Sequence, residues 1–351
     1  MFKKMVDSGH EKIIYCYEPS AGLKAIIAIH STILGPAVGG CRVRKYKDES
    51  EALFDVMRLS KSMSIKNAAA NLGYGGGKSV IIADPVKEKT PEMLIAFAKA
   101  VDSLGGLYYT APDSGITQDD MNLICRHTKY AMGKDEIEGG LGFRNSNMAT
   151  AYGVYLGIKA GVKIRLGIEN LSGVKVAMQG VGNVGECLVE LLYNNGAEVI
   201  VSDLDQSRID EITKRFDVKV VDPNAIYDVD CDVFTPAALG GSINKNTIPR
   251  LKCKLVVGPA NNQLLDDSDA DLLAQRGIYY IPDFIVNCGG VTIGTGEISG
   301  LTYEEAFKKI DVVYDNIFEI DSIAKTRGIT TNQAALELAW ARINAGRNKK
   351  S

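Results

Sequence analysis

The sequence predicts an α/β protein of two domains, an N-terminal α/β domain followed by a C-terminal parallel, doubly wound sheet. Three observations predict it. At 351 residues the chain exceeds the size at which a single core stops growing. Strand-like and helix-like segments alternate along most of its length. The stretch Val174 to Asp203 sets a glycine-rich loop between a strand and a helix, with an acid closing the following strand.

In the first domain, Lys24 to Ile29 reads as a buried strand, and Asp48-x-x-Glu51 reads as a capping box opening a helix. Leu53, Val56, Met57, Ser60 and Met63 share one stripe of that helix, which places Lys66 near its C-terminal end. A turn of three glycines, Gly75 to Gly77, then leads to Lys78 and a short β-rich run, Ser79 to Ala83. Gly77-Lys78-Ser79 imitates the end of a G-x-x-x-x-G-K-[ST] phosphate loop. Leu72 stands where its first glycine would fall, which argues against an ATPase. Thr90-Pro91-Glu92 caps the next helix with proline at its first position. Leu107 to Thr110 returns as a strand whose end presents Asp113 on a turn, before Thr117 caps another helix.

Residues 134–147 are rich in Gly, Asn and Glu, including Glu138-Gly139-Gly140-Leu141-Gly142, and read as the linker between domains. The strand Val174 to Met178 then runs into Gln179-Gly180-Val181-Gly182-Asn183-Val184-Gly185, a helix from Glu186 to Tyr193 and a strand from Glu198 to Val201 that ends at Asp203. That context turns a weak G-x-G-x-x-G match into a dinucleotide-binding signature. Gly180 makes the tight turn, Gly182 lets a pyrophosphate approach the backbone, and Gly185 lets helix and strand pack. The helix N-terminus offers free N–H groups to phosphate. Asp203 would accept hydrogen bonds from the adenosine ribose, and Asp205 adds negative charge where NADP carries its phosphate, so NAD is expected over NADP. Further βα units follow at Asp232 to Phe234, Lys254 to Val257 and Ile278 to Tyr280. Thr302-x-x-Glu305 opens a long helix to about Lys325, and a last helix, Asn332 to Ala345, is expected to return to the first domain. The expected domains are therefore 1–143, joined by a returning segment 327–351, and 144–326.

A net charge of −3 and no long basic run argue against nucleic acid as a partner. The basic tail Arg347 to Lys350 reads as a solvated terminus. Seven cysteines are scattered without C-x-x-C pairs, which fits reduced thiols packed in the core and no metal site. No run reaches ~18 apolar residues, and the start lacks the apolar segment of a signal peptide, so no membrane association and a cytoplasmic location are expected.

Only three histidines exist, His10, His30 and His127, and all precede the glycine loop. A 2-hydroxy acid dehydrogenase wants a histidine acid/base near the nicotinamide, and the coenzyme domain offers none. His30 reads as structural, and His10 and His127 as exposed. What remains is Lys66, Lys78 and Asp113, each at the end of an element. An isolated lysine is ordinarily a solvated charge, and Asp113 could serve only its turn. Two lysines inside an apolar, glycine-rich stretch fit a surface reading poorly. A lysine can hold a carboxylate as a fixed charge while a neighbour works as a base, and two such groups beside a hydride acceptor point to amino acid redox chemistry.

Leu34-Gly35-Pro36-Ala37-Val38-Gly39-Gly40, the Lys66 to Lys78 segment, Asp113 with Gly115-Ile116-Thr117, Ala260-Asn261-Asn262-Gln263-Leu264 and Pro282 to Gly290 together resemble the leucine, phenylalanine, valine and tryptophan dehydrogenases, relatives of glutamate dehydrogenase. The resemblance runs over nearly the whole chain. It implies an NAD-dependent, reversible oxidative deamination of an L-amino acid to its 2-oxo acid and ammonium, in a cleft between the domains, by an enzyme that assembles as a homo-oligomer through its first domain. It also implies roles. Lys66 binds the substrate carboxylate with the Gly39 and Gly40 backbone, Lys78 activates water, and Asp113 exchanges protons with the amino group. Thr150 and Asn261 or Asn262 lie near the nicotinamide and its ribose.

By the same resemblance the side-chain pocket is formed by Val38, Ala111, Val291 and Gly294, where a leucine enzyme typically has Leu, Ala, Val and Val. Smaller residues at two of these positions predict an enlarged pocket. A branched aliphatic substrate such as leucine is expected first, with phenylalanine or tryptophan as the competitor. A glutamate enzyme would want a further cation in the pocket, which Val38 and Gly294 do not supply. The different-class alternative, a catalytically silent NAD-binding relative, is disfavoured by the joint presence of Lys66, Lys78 and Asp113. The chain departs from the family at Arg144-Asn145-Ser146-Asn147-Met148-Ala149, where a Pro-Ser-Pro type segment is common, and at Pro112, where Glu is commoner.

Overall fold

The structure is a computed structural model. It describes residues 1–135 and 140–350, without the side chains of 143, 144, 349 and 350, so Glu138 and Gly139 of the expected linker and the Arg144 side chain lie outside the described residues. The chain divides into two compact units, Met1–Asn145 with Val291–Ala306 and Ala339–Ser351, and Ser146–Gly290 with Phe307–Leu338. The segment 291–306 therefore groups with the first unit, inside the 144–326 span expected for the second.

The first unit begins with a short helix, α1 (Phe2–Ser8), and is built on strands β1 (Lys12–Glu18), β2 (Leu23–Ser31), β3 (Ala37–Arg44), β4 (Gly75–Ile82) and β5 (Tyr108–Pro112), interleaved with helices α2 (Glu49–Ala69), α3 (Pro91–Asp102) and α4 (Gln118–His127). The sheet order is β1-β2-β4-β3-β5; β2 runs antiparallel to β1 and β4, and β3 runs parallel to β4 and β5. Alternation along β2 assigns its two faces. Ala25, Ile27 and Ile29 pack with Leu94, Phe97 and Val101 of α3 and Met121 and Ile124 of α4. Ile26 and Ala28 pack with Leu53, Val56 and Met57 of α2. Capping fixes where these helices start, since Asp48 accepts from the Glu51 N–H and Thr90 from the Met93 N–H, while Thr117 and Asp120 close a full capping box.

The three glycines expected as a turn are instead buried in β4. Close approach, not turn geometry, explains them. A Cβ on Gly76 would fall on the backbone nitrogen of Ser64 in α2. The turn comes earlier, at Asn71, whose φ of 54° is left-handed and whose neighbour Leu72 returns its N–H to the Asn67 carbonyl.

The second unit carries β6 (Lys175–Gln179), β7 (Glu198–Ser202), β8 (Lys219–Val220), β9 (Val233–Pro236), β10 (Leu255–Val256) and β11 (Tyr279–Tyr280), all parallel in the order β11-β10-β9-β6-β7-β8. That is the doubly wound order, with its switch point between β6 and β9. Helix α5 (Phe143–Leu166) leads into it; α6 (Asn183–Asn194), α7 (Gln206–Arg215) and α8 (Asp269–Gln275) connect strands, and α9 (Asp283–Val286) and α10 (Gly289–Ile298) follow the last of them. The long helix expected after Thr302 is broken into α11 (Tyr303–Lys308) and α12 (Val312–Arg327) by a tight turn over Lys309–Asp311. The last helix, α13 (Thr331–Lys350), is longer than expected.

His10, expected exposed, is buried, and so is His30. The two rings meet edge to face at 4.9 Å, and Trp340 lies 6.1 Å from His30. His10 Nε2 faces the Met57 carbonyl at 3.1 Å and the Ser60 hydroxyl at 2.8 Å, and His30 Nδ1 lies 2.7 Å from the Ser64 hydroxyl. Burial, helped by neighbouring His10 and Lys61, holds His30 down to about 4. Burial also lowers His10, against the pull of the Met57 carbonyl and with help from Lys61. On unfolding both imidazoles regain ordinary basicity, so the unfolded chain takes up protons first as pH falls. Stability contributed by the neutral pair is therefore present above pH 6.5 and is lost as pH drops toward 4, by about 3 kcal/mol for His30. Urea unfolding at pH 7.5 and pH 5 measures this, and His30→Gln is expected to flatten the acid slope.

Candidate active site

Lys66 sits in the last turn of α2 and is half-buried. Two contacts hold that helix end. The Asn67 side-chain amide donates to the Gly75 carbonyl at 2.6 Å, and Arg342 of α13 donates to the Ala69 carbonyl at 2.6 Å, a cation placed on the negative end of the helix. Lys78 follows the glycines on β4, with a side chain only 8% exposed. It donates to Asp113, one residue beyond β5, which also accepts the Ser114 N–H. Arg42 on β3 completes the cluster; Nη2 lies 3.5 Å from Asp113, while Nη1 lies 3.0 Å from Asp55 of α2. Asp55 in turn accepts from the Tyr46 hydroxyl at 2.8 Å and Arg58 at 3.1 Å.

Burial works to raise Asp113, but the Lys78 and Arg42 charges and the hydrogen bonds from Lys78 and the Ser114 N–H outweigh it and hold the carboxyl below its ordinary range. It is an ionised acid at neutral pH. Gly40 adjoins the pair; a Cβ there would come 3.2 Å from Lys78 Nζ and 2.9 Å from Asp113 Cβ. The pairing of β3 with β4 skips Gly39 and Gly40, although both pair with β5. Tyr108 secures that bare stretch by donating to the Gly39 carbonyl at 2.6 Å. A partly exposed acid, a buried amine and a backbone stripped of side chains thus meet on the sheet. Such a group can hold a small anion and move a proton across the Lys78–Asp113 bond.

Val38 and Ala111 pack with Met132 in one apolar cluster, joined by Tyr74, Tyr109, Val291 and Ile298. Val291, Gly294 and Ile298 share one face of α10 at helical spacing. The same helix anchors the segment beneath, because Glu297 accepts the N–H groups of Gly133 at 3.2 Å and Leu141 at 3.2 Å. Gly294 does not leave the void expected of it. A Cβ there would lie 2.7 Å from Met132 Sδ and 3.1 Å from its Cε, so the methionine has filled the space. Met132, Arg42 and Glu297 were missed in the sequence. The arginine could have been flagged as a charge inside a strand flanked by buried residues; a methionine carries no such signal.

In the second unit, Gly180 has a left-handed φ of 101° and returns its N–H to the Ser202 carbonyl at 2.7 Å. The Val181 N–H donates to Asp203 at 2.8 Å, and Asp203's other oxygen accepts the Asp205 N–H at 2.9 Å. Asp203 is therefore locked to the loop while each oxygen keeps a lone pair for a hydroxyl. Gly182 is the N-cap residue of α6, which begins with Asn183, Val184 and Gly185; a Cβ on Gly185 would meet the Gly180 carbonyl at 2.7 Å. Thr150 of α5 donates to the Ser146 carbonyl at 2.8 Å and accepts the Gly290 N–H at 3.1 Å. Asn287 donates to Asn261 at 3.0 Å and keeps a buried side-chain oxygen without a partner among the described residues, and Asn262, with φ 53°, donates its N–H to Asp283 at 2.8 Å. The bare Gly182 backbone, the helix N-terminus and this orphaned acceptor fit a dinucleotide. Among the described residues no cluster could hold a metal ion, and no helix is long and apolar enough to cross a membrane.

Comparison with known proteins finds matches over nearly the whole chain. Residues 10–130 match the model of the Glu/Leu/Phe/Val dehydrogenase dimerisation domain, and residues 139–206 and 201–349 match that of the glutamate/leucine/phenylalanine/valine dehydrogenases. The chain is 46% identical over 351 residues to leucine dehydrogenase of Geobacillus stearothermophilus, covering 100% of this chain and 95% of that protein. It is 44% identical over 350 residues to phenylalanine dehydrogenase of Bacillus thermotolerans, covering 98% and 91%. The crystal structure of L-tryptophan dehydrogenase from Nostoc punctiforme superposes with a TM-score of 0.87 at 41% identity, covering 99% of each chain.

The packing of Met132 against Gly294 makes a stability prediction. Gly294→Val overpacks the site, and Met132→Ala, at a residue 2% exposed, leaves a cavity of the kind that costs about 2 kcal/mol or more. The double variant is expected to be more stable than the summed losses imply, by roughly 1 kcal/mol, in urea denaturation. Strict additivity would show that the methionine does not occupy that space.

Proposed function

The chain belongs to the Glu/Leu/Phe/Val dehydrogenase family, and from that premise we propose that it oxidatively deaminates a branched aliphatic L-amino acid, leucine first, with NAD. One observation carries the reading: a buried lysine donating to an ionised acid beside the side-chain-free Gly39–Gly40 stretch. Overall, L-amino acid, NAD⁺ and water give 2-oxo acid, ammonium, NADH and a proton. Held by the Gly180–Gly185 loop and Asp203, a bound dinucleotide would supply the acceptor for the hydride that leaves the substrate Cα. Lys66 and the Gly39 and Gly40 backbone hold the carboxylate, which fixes Cα in place. Asp113, ionised in the resting pair, takes a proton from the substrate ammonium, freeing the nitrogen lone pair that drives hydride departure. Asp113 releases that proton to solvent and then accepts one from Lys78, whose neutral amine removes a proton from the water adding to the iminium carbon. Collapse of the resulting carbinolamine expels ammonia, protonated by the same pair.

The apolar lining of Val38, Ala111, Met132 and Val291 offers a side-chain carboxylate no cation, which speaks against glutamate. Met132 occupies the volume that Gly294 releases, so the pocket favours a leucine-sized group over an aromatic ring. The margin between such substrates is ~1 to 3 kcal/mol, and overlap is expected. Asp203 and Asp205 place negative charge beside the adenosine ribose position, which favours NAD over NADP. Assembly into a homo-oligomer is supported by the edge position of β1 in its sheet, where Tyr15 and Tyr17 are exposed, together with Phe2 and Val6 of α1.

An NADH absorbance assay at alkaline pH across L-leucine, L-valine, L-phenylalanine and L-tryptophan tests the substrate, with leucine expected to give the highest kcat/KM. Lys78→Ala is expected to bind NADH with unchanged affinity by fluorescence while kcat falls at least ~10²-fold. Normal turnover in that variant would remove Lys78 from the mechanism.

A further inference from the structure

The space in front of Gly182 is claimed by a residue the sequence reading passed over. A Cβ on Gly182 would lie 2.7 Å from Nη1 of Arg208 and 3.9 Å from its Cζ, and no other atom of the described residues outside the chain neighbours and the local helix lies within 4 Å. Arg208 belongs to the first turn of α7, directly after the acids that close β7. Its Nε lies 3.5 Å from Asp205, and its side chain is 47% exposed. Asp205 is otherwise engaged as the cap of α7, accepting the Ser207 N–H at 3.0 Å and the Ser207 hydroxyl at 2.6 Å. The guanidinium is thus held loosely by a screened surface ion pair, on a flexible stem, and lies over backbone left bare for the approach of phosphate.

We propose that Arg208 is a cofactor-binding residue whose guanidinium pairs with the pyrophosphate of the adenine dinucleotide. This rests on the reading of residues 180–185 as the dinucleotide loop. An anion entering over Gly182 meets the guanidinium before it meets the N–H groups of α6. The planar fork suits two oxygens of a phosphate, in a charge-assisted bond stronger than its existing one to Asp205. Asp205 then keeps the side chain near the loop between turnovers. Its charge, with that of Asp203, balances Arg208 on the ribose side, so the arginine adds affinity for the diphosphate without inviting a 2′-phosphate.

Binding by the whole protein, free of substrate, tests this by calorimetry with ADP-ribose, NADH, NADPH and adenosine as titrants. Wild-type protein is expected to bind ADP-ribose and NADH. Failure to do so would overturn the dinucleotide reading itself. Arg208→Gln is expected to weaken ADP-ribose and NADH about tenfold, to leave adenosine unchanged, and to flatten the salt dependence of binding. Arg208→Lys, which keeps the charge but not the fork, should fall between. Equal ADP-ribose affinity in wild type and Arg208→Gln overturns the proposal, as does tighter binding, which would make the arginine an obstruction. A loss confined to NADPH overturns it in favour of 2′-phosphate recognition. A parallel loss for adenosine overturns it in favour of a structural role.

Discussion

Backbone must touch backbone in the first unit, and the site depends on that contact. Helix α2 rests on β4 with the Ser64 nitrogen where a Gly76 side chain would be, and the Gly77 carbonyl occupies the corresponding place at Gly39. Any side chain at either position would push α2 from the sheet or β3 from β4. Because α2 lies so close, Asn67 can reach the Gly75 carbonyl and fix the helix end that carries Lys66. Lys78, two residues after Gly76, is brought by the same strand to Asp113. The placement of both lysines thus follows from glycines that have no chemistry of their own.

Charge is then arranged as an alternating chain rather than a single pair. Lys78, Asp113, Arg42, Asp55 and Arg58 follow one another, running from buried strand to partly exposed helix surface. An isolated buried pair recovers its desolvation cost poorly. Here Arg42 shares itself between two acids, and Tyr46 adds a neutral donor to Asp55, so each carboxylate has several partners. The consequence for chemistry is specific. Arg42 faces Asp113 wherever the shared proton sits, so its charge favours return of the acid to the ionised form after each transfer.

The sequence made much of this legible, unevenly. Capping residues located the starts of α2, α3 and α4, and the strand, glycine loop and acid located β6, α6 and β7 of the second sheet. Lys66, Lys78 and Asp113 stood out because charged residues are rare in apolar, glycine-rich surroundings. The glycines themselves were misread as a turn, since a strand interior has little reason to hold three of them until a helix is known to press on it. β3 was missed because its central Gly39 and Gly40 erase the alternation that marks a strand. Met132 was invisible for a related reason. A pocket's volume depends on which distant side chain moves into a gap, and spacing along the chain does not encode that.

What stands in the place of the missing Cβ separates the roles of these glycines. At Gly39 and Gly76 it is main chain, which cannot yield, so the glycine is required for folding. At Gly294 it is a thioether on a flexible but buried stem, which yields at a cost, so the position can tune volume. At Gly182 it is the tip of a half-exposed arginine held by a loose ion pair with Asp205, which yields readily to a stronger anion. Only the last arrangement leaves the backbone accessible to a ligand while placing a charge at its entrance. A glycine required for packing and one that leaves room for a phosphate look identical as letters, and the occupant of the Cβ position is what distinguishes them.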